Sequence, residues 1–163
     1  MFGYNRIGFS ILGALKKMKE NYLIIDFNPD VISDLSKLNI PSVYGDVGDP
    51  ELLRELPLSK LKLAISTVPD FETNELLIDA LKDTDPRAII IVRAHTIKDA
   101  LALYERGANY VLTPHFLGGE YVAKMIKDLG TVKKDYKEEK EKHIKMLKDM
   151  LEHGKEHPEV EKD

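Results

Sequence analysis

Short apolar runs rich in β-branched residues alternate with longer amphipathic stretches through the first 130 residues of the chain. Runs such as 22–26 (YLIID) and 87–92 (RAIIIV) carry almost no polar residue inside them, which is typical of strands buried on both faces. The stretches between the runs repeat apolar residues at helical spacing, as in 6–20. Because parallel strands need such crossover helices, the chain is predicted to be α/β with a doubly wound parallel sheet.

The other element boundaries follow from the same pattern. Strands are expected at 42–44, 62–67 and 110–112, and helices at 30–38, 51–55, 70–81, 96–106 and 114–129. Only Met1 and Phe2 precede the first glycine, so the first strand is predicted to be truncated or missing. After residue 130 more than half of the residues are charged. We therefore expect a folded domain at 1–130 and a charged helical tail at 131–163.

Composition excludes several classes of protein. A length of 163 residues suits one domain. The net charge of −4 argues against a nucleic-acid partner, because proteins that bind nucleic acids usually carry an excess of basic residues. The absence of cysteine excludes disulfides, thiolate metal sites and a cysteine nucleophile. No apolar run approaches the roughly 18–20 residues of a membrane helix. These features predict a soluble, cytoplasmic protein.

The segment 3–8 (GYNRIG) matches the G-x-G-x-x-G turn of dinucleotide-binding folds, with asparagine at the second glycine. In that turn the first glycine makes the bend, the second lets the backbone approach a pyrophosphate, and the third allows close packing of helix on strand. An asparagine side chain is expected to crowd the phosphates. The candidate phosphate-binding residues are Gly3, Tyr4, Asn5, Arg6, Ile7 and Gly8.

Asp26 ends the next predicted strand, close to the spacing of roughly 20 residues expected for an acid that binds ribose hydroxyls. The same carboxylate would repel a 2′-phosphate, so NADP is disfavoured as a ligand. The alternative is an ordinary strand-end aspartate that caps the following helix. We include its neighbour Phe27 among the candidate site residues.

Later strands also end in polar side chains, on the edge of the sheet where such folds bind ligands. Asp46 could accept a hydrogen bond from an adenine amino group, or it could be a turn aspartate; Val47 beside it is included as a candidate. Thr67 could donate a hydrogen bond to a ribose or a phosphate, or it could have only a structural role at the end of its strand. Arg93 needs an anion, which could be a ligand phosphate or a carboxylate of a neighbouring helix.

No catalytic constellation is visible. The chain has no H-E-x-x-H, nucleophile elbow or P-loop motif, and no nucleophile–base pair can be named. We therefore expect neither an enzyme nor a metal site. The apolar stripe of the last predicted helix, 114–129, could pack on its own domain or on a second subunit.

Six segments together carry a resemblance to a known family: GYNRIG, YLIIDFNPD, VYGDVGDPELL, AISTVPDFETN, IIIVRA and YERGANYVLTPHFLGG. With these segments the chain resembles the RCK fold, also called KTN or TrkA-N, of potassium channels, Trk/Ktr uptake systems and Kef-type cation:proton antiporters. The resemblance covers residues 1 to about 129.

The resemblance implies a domain with a Rossmann-like sheet of order 3-2-1-4-5-6. Such a domain binds NAD(H) or ATP, ADP or AMP and does not transform the bound nucleotide. The resemblance also implies a homodimer or larger ring at the inner face of a membrane. There the domain would regulate a channel or transporter for a monovalent cation (potassium, or sodium/proton), fused to it or acting in trans. By position, Gly3, Asn5, Arg6 and Gly8 match the phosphate turn. The other matches are Asp26 as the ribose acid, Asp46 as the adenine-side acid, Thr67 as the fourth-strand contact and Arg93 as the fifth-strand arginine.

Two other readings are open. One is an NAD-dependent oxidoreductase, against which stand the missing substrate domain and the scarcity of proton donors. The other is an assembly module that keeps the fold without binding a nucleotide.

Overall fold

The computed structural model describes residues 1–18 and 20–152. Contacts divide the chain into two compact units, the first being Met1–Pro114 and the second beginning at His115. This division falls one helix before residue 130, where the composition becomes highly charged. The predicted tail residues 153–163 lie outside the described part.

Five short strands and five helices alternate through the first unit. The strands are β1 (Ile24–Asp26), β2 (Ser42–Tyr44), β3 (Leu63–Ile65), β4 (Ile89–Arg93) and β5 (Tyr110–Leu112). The helices are α1 (Arg6–Met18), α2 (Pro29–Lys37), α3 (Pro50–Glu55), α4 (Phe71–Thr84) and α5 (Ile97–Arg106), with a 3-10 turn at Leu58–Lys60. The side chains of Asn28, Asp49, Asp70 and Thr96 cap helices α2 to α5, and Gly107 ends α5 with a φ of 124°.

All the strand pairs are parallel. β1 pairs with β2, and β3 pairs with β4, which pairs with β5. Residues 1–3 fill the gap between these two ladders, because Phe2 bridges Ile25 on one side and Ser66 on the other. The spatial order is therefore β2, β1, residues 1–3, β3, β4, β5. This is the expected 3-2-1-4-5-6 order, with residues 1–3 in the place of its first strand.

Four backbone hydrogen bonds hold this shortened central strand. Phe2 N–H donates to Ile65 O at 2.7 Å, and Thr67 N–H donates to Phe2 O at 2.9 Å. On the other side, the N–H of Ile25 donates to the carbonyl of Met1 and the N–H of Gly3 donates to the carbonyl of Ile25, at 2.9 and 2.8 Å. Three residues are thus enough to join the two halves of the sheet.

Helices cover both faces of the sheet. Ile25 belongs to an apolar cluster that includes side chains of α3, α4 and α5, whereas its neighbour Ile24 belongs to a second cluster with side chains of α1 and α2. Successive side chains of a strand point to opposite faces, so the two clusters lie on opposite sides of the sheet. The doubly wound prediction is confirmed.

The second unit contains α6 (Pro114–Leu129) from its second residue onward, a 3-10 turn at Lys133–Asp135 and α7 (Tyr136–Glu152). The hydroxyl of Tyr121 on α6 donates to Glu139 on α7 at 2.9 Å, and Tyr136 donates to the carbonyl of Gly130 at 2.7 Å. No residue of α6 or α7 is buried. Among the residues described, no helix has the length and apolar character that a membrane span requires.

Candidate functional site

A cavity of about 240 Å³ opens at the carboxyl ends of β1, β2 and the central strand, beside the loop that follows β3. Ligands of open α/β sheets bind at this edge, where the strand order reverses. The cavity is lined by Gly3, Tyr4, Asn5, Ile25, Asp26, Phe27, Gly45, Asp46, Val47, Val68 and Pro69.

The turn after the central strand has the geometry expected of its two glycines. Gly3 has a φ of +80°, and a Cβ there would lie 2.7 Å from the Oγ1 of Thr67. A Cβ on Gly8 would lie 2.7 Å from the carbonyl oxygen of Gly3. Gly3 therefore makes the bend, and Gly8 lets α1 begin directly against the turn.

Asn5, at the place of the second glycine, caps helix α1. Its Oδ1 accepts from the backbone N–H groups of Ile7 at 2.9 Å and Gly8 at 3.2 Å, and its Nδ2 donates to the carbonyl of Thr67 at 3.0 Å. Two of the free N–H groups of the helix terminus are thereby occupied by the protein's own side chain.

Asp26 is buried at the end of β1 and connects two loops. Its Oδ2 accepts from the N–H of Tyr4 at 2.6 Å, and its Oδ1 accepts from the N–H of Asn28 at 2.8 Å. It therefore supports the glycine turn and the start of the segment leading into α2, while its carboxylate lines the cavity. Each oxygen keeps acceptor capacity for a ligand hydroxyl.

Asp46 follows β2 and faces the same cavity. Its Oδ1 accepts from the N–H of Gly48 at 2.8 Å, which leaves Oδ2 as a further acceptor. Phe27 is exposed over 67% of its surface and Val47 is buried, and both line the cavity. An exposed ring beside two carboxylates gives the cavity one flat apolar surface and two hydrogen-bond acceptors.

Five predicted residues lie outside the lining: Arg6, Ile7, Gly8, Thr67 and Arg93. Thr67 is fully buried, and its hydroxyl donates to the carbonyl of Gly3 at 3.0 Å, so it holds the glycine turn from behind. Arg93 is largely buried at the end of β4, and its carbonyl accepts from Asn74 at 2.9 Å.

Four lining residues were not predicted as site residues: Ile25, Gly45, Val68 and Pro69. Each lies within a few residues of a predicted strand end, which was the available signal. Asn74 is a further omission. Its buried amide donates to the carbonyls of Val68, Asp70 and Arg93, each at 2.9 Å, and so ties together the loops that follow β3 and β4.

The polar side chains of the lining are mainly hydrogen-bond acceptors. Its ionisable side chains are Tyr4, Asp26 and Asp46, and burial raises the pKa of the Tyr4 hydroxyl, which stays neutral at physiological pH. The lining therefore offers two carboxylates without a basic side chain beside them. Such a site can accept hydrogen bonds from hydroxyl and amino groups, but it holds no nucleophile paired with a base.

Several sequence relatives are proteins of potassium transport. The chain is 29% identical over 161 residues to the probable potassium channel protein 2 of Methanocaldococcus jannaschii, covering 92% of this chain and 46% of that protein. It is 27% identical over 107 residues to the glutathione-regulated potassium-efflux system protein KefC of Escherichia coli, covering 66% of this chain and 17% of KefC. The chain thus spans less than half the length of these relatives.

Solved structures share the fold. The TrkA-N domain of the Escherichia coli inner membrane protein ybaL matches with a TM-score of 0.70 at 22% identity, covering 77% of this chain and 93% of that one. GsuK bound to ADP and the GsuK channel bound to NAD each match with a TM-score of 0.60, at 20% and 21% identity. Both alignments cover 69% of this chain, and they cover 30% and 20% of those chains.

The family model described as the TrkA-N domain matches residues 1–114. That range coincides with the first compact unit and contains the whole sheet and every residue that lines the cavity. The chain belongs to the TrkA-N domain family.

Proposed function

We propose that this chain is a regulatory nucleotide-binding domain that controls the transport of a monovalent cation. Its ligand is NAD(H) or an adenine nucleotide, and it does no chemistry on that ligand. The observation that carries the proposal is the cavity between the glycine turn and the carboxylates of Asp26 and Asp46.

The positions of the two acids support an adenosine-containing ligand. Asp26 ends β1 and Asp46 follows β2, and these strands are hydrogen-bonded neighbours. A ribose hydroxyl can donate to Asp26 while an adenine amino group donates to Asp46, with Phe27 available to stack on the base. A 2′-phosphate beside Asp26 would be repelled, so NADP(H) is expected to bind more weakly. The GsuK structures with ADP and NAD support the same class of ligand.

The relatives support the proposed role in cation transport. A potassium channel protein and a potassium-efflux protein each share this domain as part of a longer chain. We infer that the domain acts on a membrane channel or transporter, fused to it or in trans, from the cytoplasmic side. A homodimer or larger ring would let a nucleotide change the relation between domains, and that movement would bias the transport path.

Calorimetric titration with NADH, NAD, NADPH, ATP, ADP and AMP tests the proposal. We expect micromolar binding of NAD(H) or an adenylate, with NADPH much weaker. A folded protein that binds none of these ligands would contradict nucleotide sensing and favour an assembly module. Steady turnover of the nicotinamide with a small substrate would instead favour an oxidoreductase.

A comparison of AMP with IMP tests the role of Asp46. The wild type should prefer AMP, because Asp46 accepts from the amino group that IMP lacks. Asp46→Asn keeps an oxygen for Gly48 but places an amide donor toward the base, so AMP binding should weaken about tenfold or more. Asp49→Asn is the matched control, because Asp49 caps α3 outside the cavity. If Asp46→Asn still preferred AMP over IMP to the same degree, Asp46 would not be a ligand-binding residue.

A further inference from the structure

The side chain of Asn5 accepts from N–H groups at the start of α1, where dinucleotide folds bind their phosphates. Three hydrogen bonds hold it: two from the N–H groups of Ile7 and Gly8 to Oδ1, and one from Nδ2 to the carbonyl of Thr67. Asn5 is not among the residues with positive φ, so the backbone accepts a side chain here without strain. The cap is therefore a stable feature of the turn.

An N-terminal helix turn binds anions through its free N–H groups and its dipole. In α1, the N–H groups of Ile7 and Gly8 already donate to the Asn5 oxygen. A phosphate oxygen could reach them only by displacing that side chain and breaking its bond to Thr67. The gain from phosphate binding would be offset by the loss of an existing cap.

The remaining lining gives phosphates no compensating attraction. Its charged side chains are the carboxylates of Asp26 and Asp46, which repel an anion, and the one basic residue of the turn, Arg6 at the start of α1, lies outside this lining. Its volume of about 240 Å³ is also below the roughly 300–1,000 Å³ typical of larger ligands. Both features favour contacts with a neutral, compact part of the ligand over contacts with its phosphates.

We propose that Asn5 sets the specificity of this cavity by excluding phosphate from the turn, so that the domain recognises the adenosine moiety and gains little from the phosphates attached to it. This inference rests on the proposed function, because it assumes that the cavity takes an adenosine-containing ligand. It distinguishes this chain from domains in which a glycine at that position leaves the phosphate site open.

Calorimetry with adenosine, AMP, ADP and NAD tests the proposal directly. The wild type should bind adenosine and ADP with affinities within about threefold of each other. In Asn5→Gly the N–H groups of the turn become free, so ADP and NAD should bind about tenfold more tightly while adenosine binding stays unchanged. Thr96→Gly is the matched control. It removes the side-chain cap of α5, in which Thr96 Oγ1 accepts from the N–H of Asp99 at 3.1 Å, and it should change the affinity for none of these ligands.

Asn5→Asp provides a second variant that keeps an acceptor for the N–H groups of Ile7 and Gly8, loses the donor to the carbonyl of Thr67 and adds a negative charge. It should leave the affinity for adenosine unchanged and lower the affinity for ADP about tenfold. This variant tests the proposal even if Asn5→Gly does not fold. The proposal is overturned if the wild type prefers ADP or NAD over adenosine by more than about threefold. It is also overturned if neither variant changes the ratio of ADP to adenosine affinity. In those cases nucleotide sensing survives, whereas failure of every adenosine-containing ligand to bind contradicts both proposals.

Discussion

The backbone nitrogen of Tyr4 lies 2.6 Å from Oδ2 of Asp26, so the glycine turn and the acid that ends β1 form one hydrogen-bonded unit. The other oxygen of the same carboxylate accepts from Asn28. Asp26 lines the cavity and supports the loops around it, but it does not cap α2, because the side chain of Asn28 does so.

Asp26→Ala should abolish binding of adenosine-containing ligands and also destabilise the fold. The N–H groups of Tyr4 and Asn28 would lose their acceptor in a mostly buried place, at a cost of about 1–3 kcal/mol. Urea unfolding and calorimetry measure the two effects. Asp83→Ala, at an exposed position of α4, is the control and should change neither. Unchanged affinity would remove Asp26 from the site, and unchanged stability would contradict its role in holding the turn.

Gly8→Ala should destabilise the domain by about 1–3 kcal/mol, because the new Cβ would lie 2.7 Å from the carbonyl oxygen of Gly3 and push the turn away from α1. Gly13→Ala is a control in the same helix, where a Cβ meets nothing within 4 Å. That change should stabilise the fold by up to about 1 kcal/mol through helix propensity. Opposite shifts of the urea midpoint check the pair. A Gly8→Ala variant as stable as the wild type would show that the turn can move.

The sequence pattern located the strands that lie between clear turn signals. Ser42–Tyr44 and Tyr110–Leu112 were predicted to the residue, because apolar runs between such signals have few other readings. The central strand could not be predicted in the same way. The place of Phe2 in the sheet depends on backbone hydrogen bonds with Ile65 and Thr67, far along the chain, which local sequence does not show.

The candidate site was predictable in outline for a related reason. The ends of parallel strands meet at one edge, so chain position alone brought Asp26 and Asp46 to the same cavity. Side-chain direction is not set by chain position. Thr67 follows its strand as predicted but turns inward to Gly3, and the oxygen of Asn5 turns back onto α1. Both orientations depend on hydrogen bonds that only the folded chain provides.

Thr67→Val should lower the free energy of unfolding by about 1–2 kcal/mol and weaken ligand binding. The Oγ1 of Thr67 donates to the carbonyl of Gly3 at 3.0 Å inside the protein, and valine has the same shape without the donor. Thr84→Val removes a similar hydroxyl bond, to Ala80 at 2.7 Å, on an exposed part of α4 and should change stability by no more than about 0.5 kcal/mol. Equal effects from the two changes would contradict a special role for the Thr67 hydroxyl.

The stability of the domain should fall in acid as Asp85 becomes protonated. Hydrogen bonds from the Arg87 side chain lower the pKa of Asp85 from 3.8 to about 2. Because the folded state binds this proton less readily than the unfolded state, the pair stabilises the fold above pH 3.8, and the contribution is lost as the pH falls to about 2. Arg87→Gln should therefore lower the Tm at neutral pH, and the difference from the wild type should shrink through that range. Arg54→Gln, on the exposed side of α3, should show no such pH-dependent difference. A gap between Arg87→Gln and the wild type that persists at pH 2 would show that Arg87 stabilises the fold by another contact.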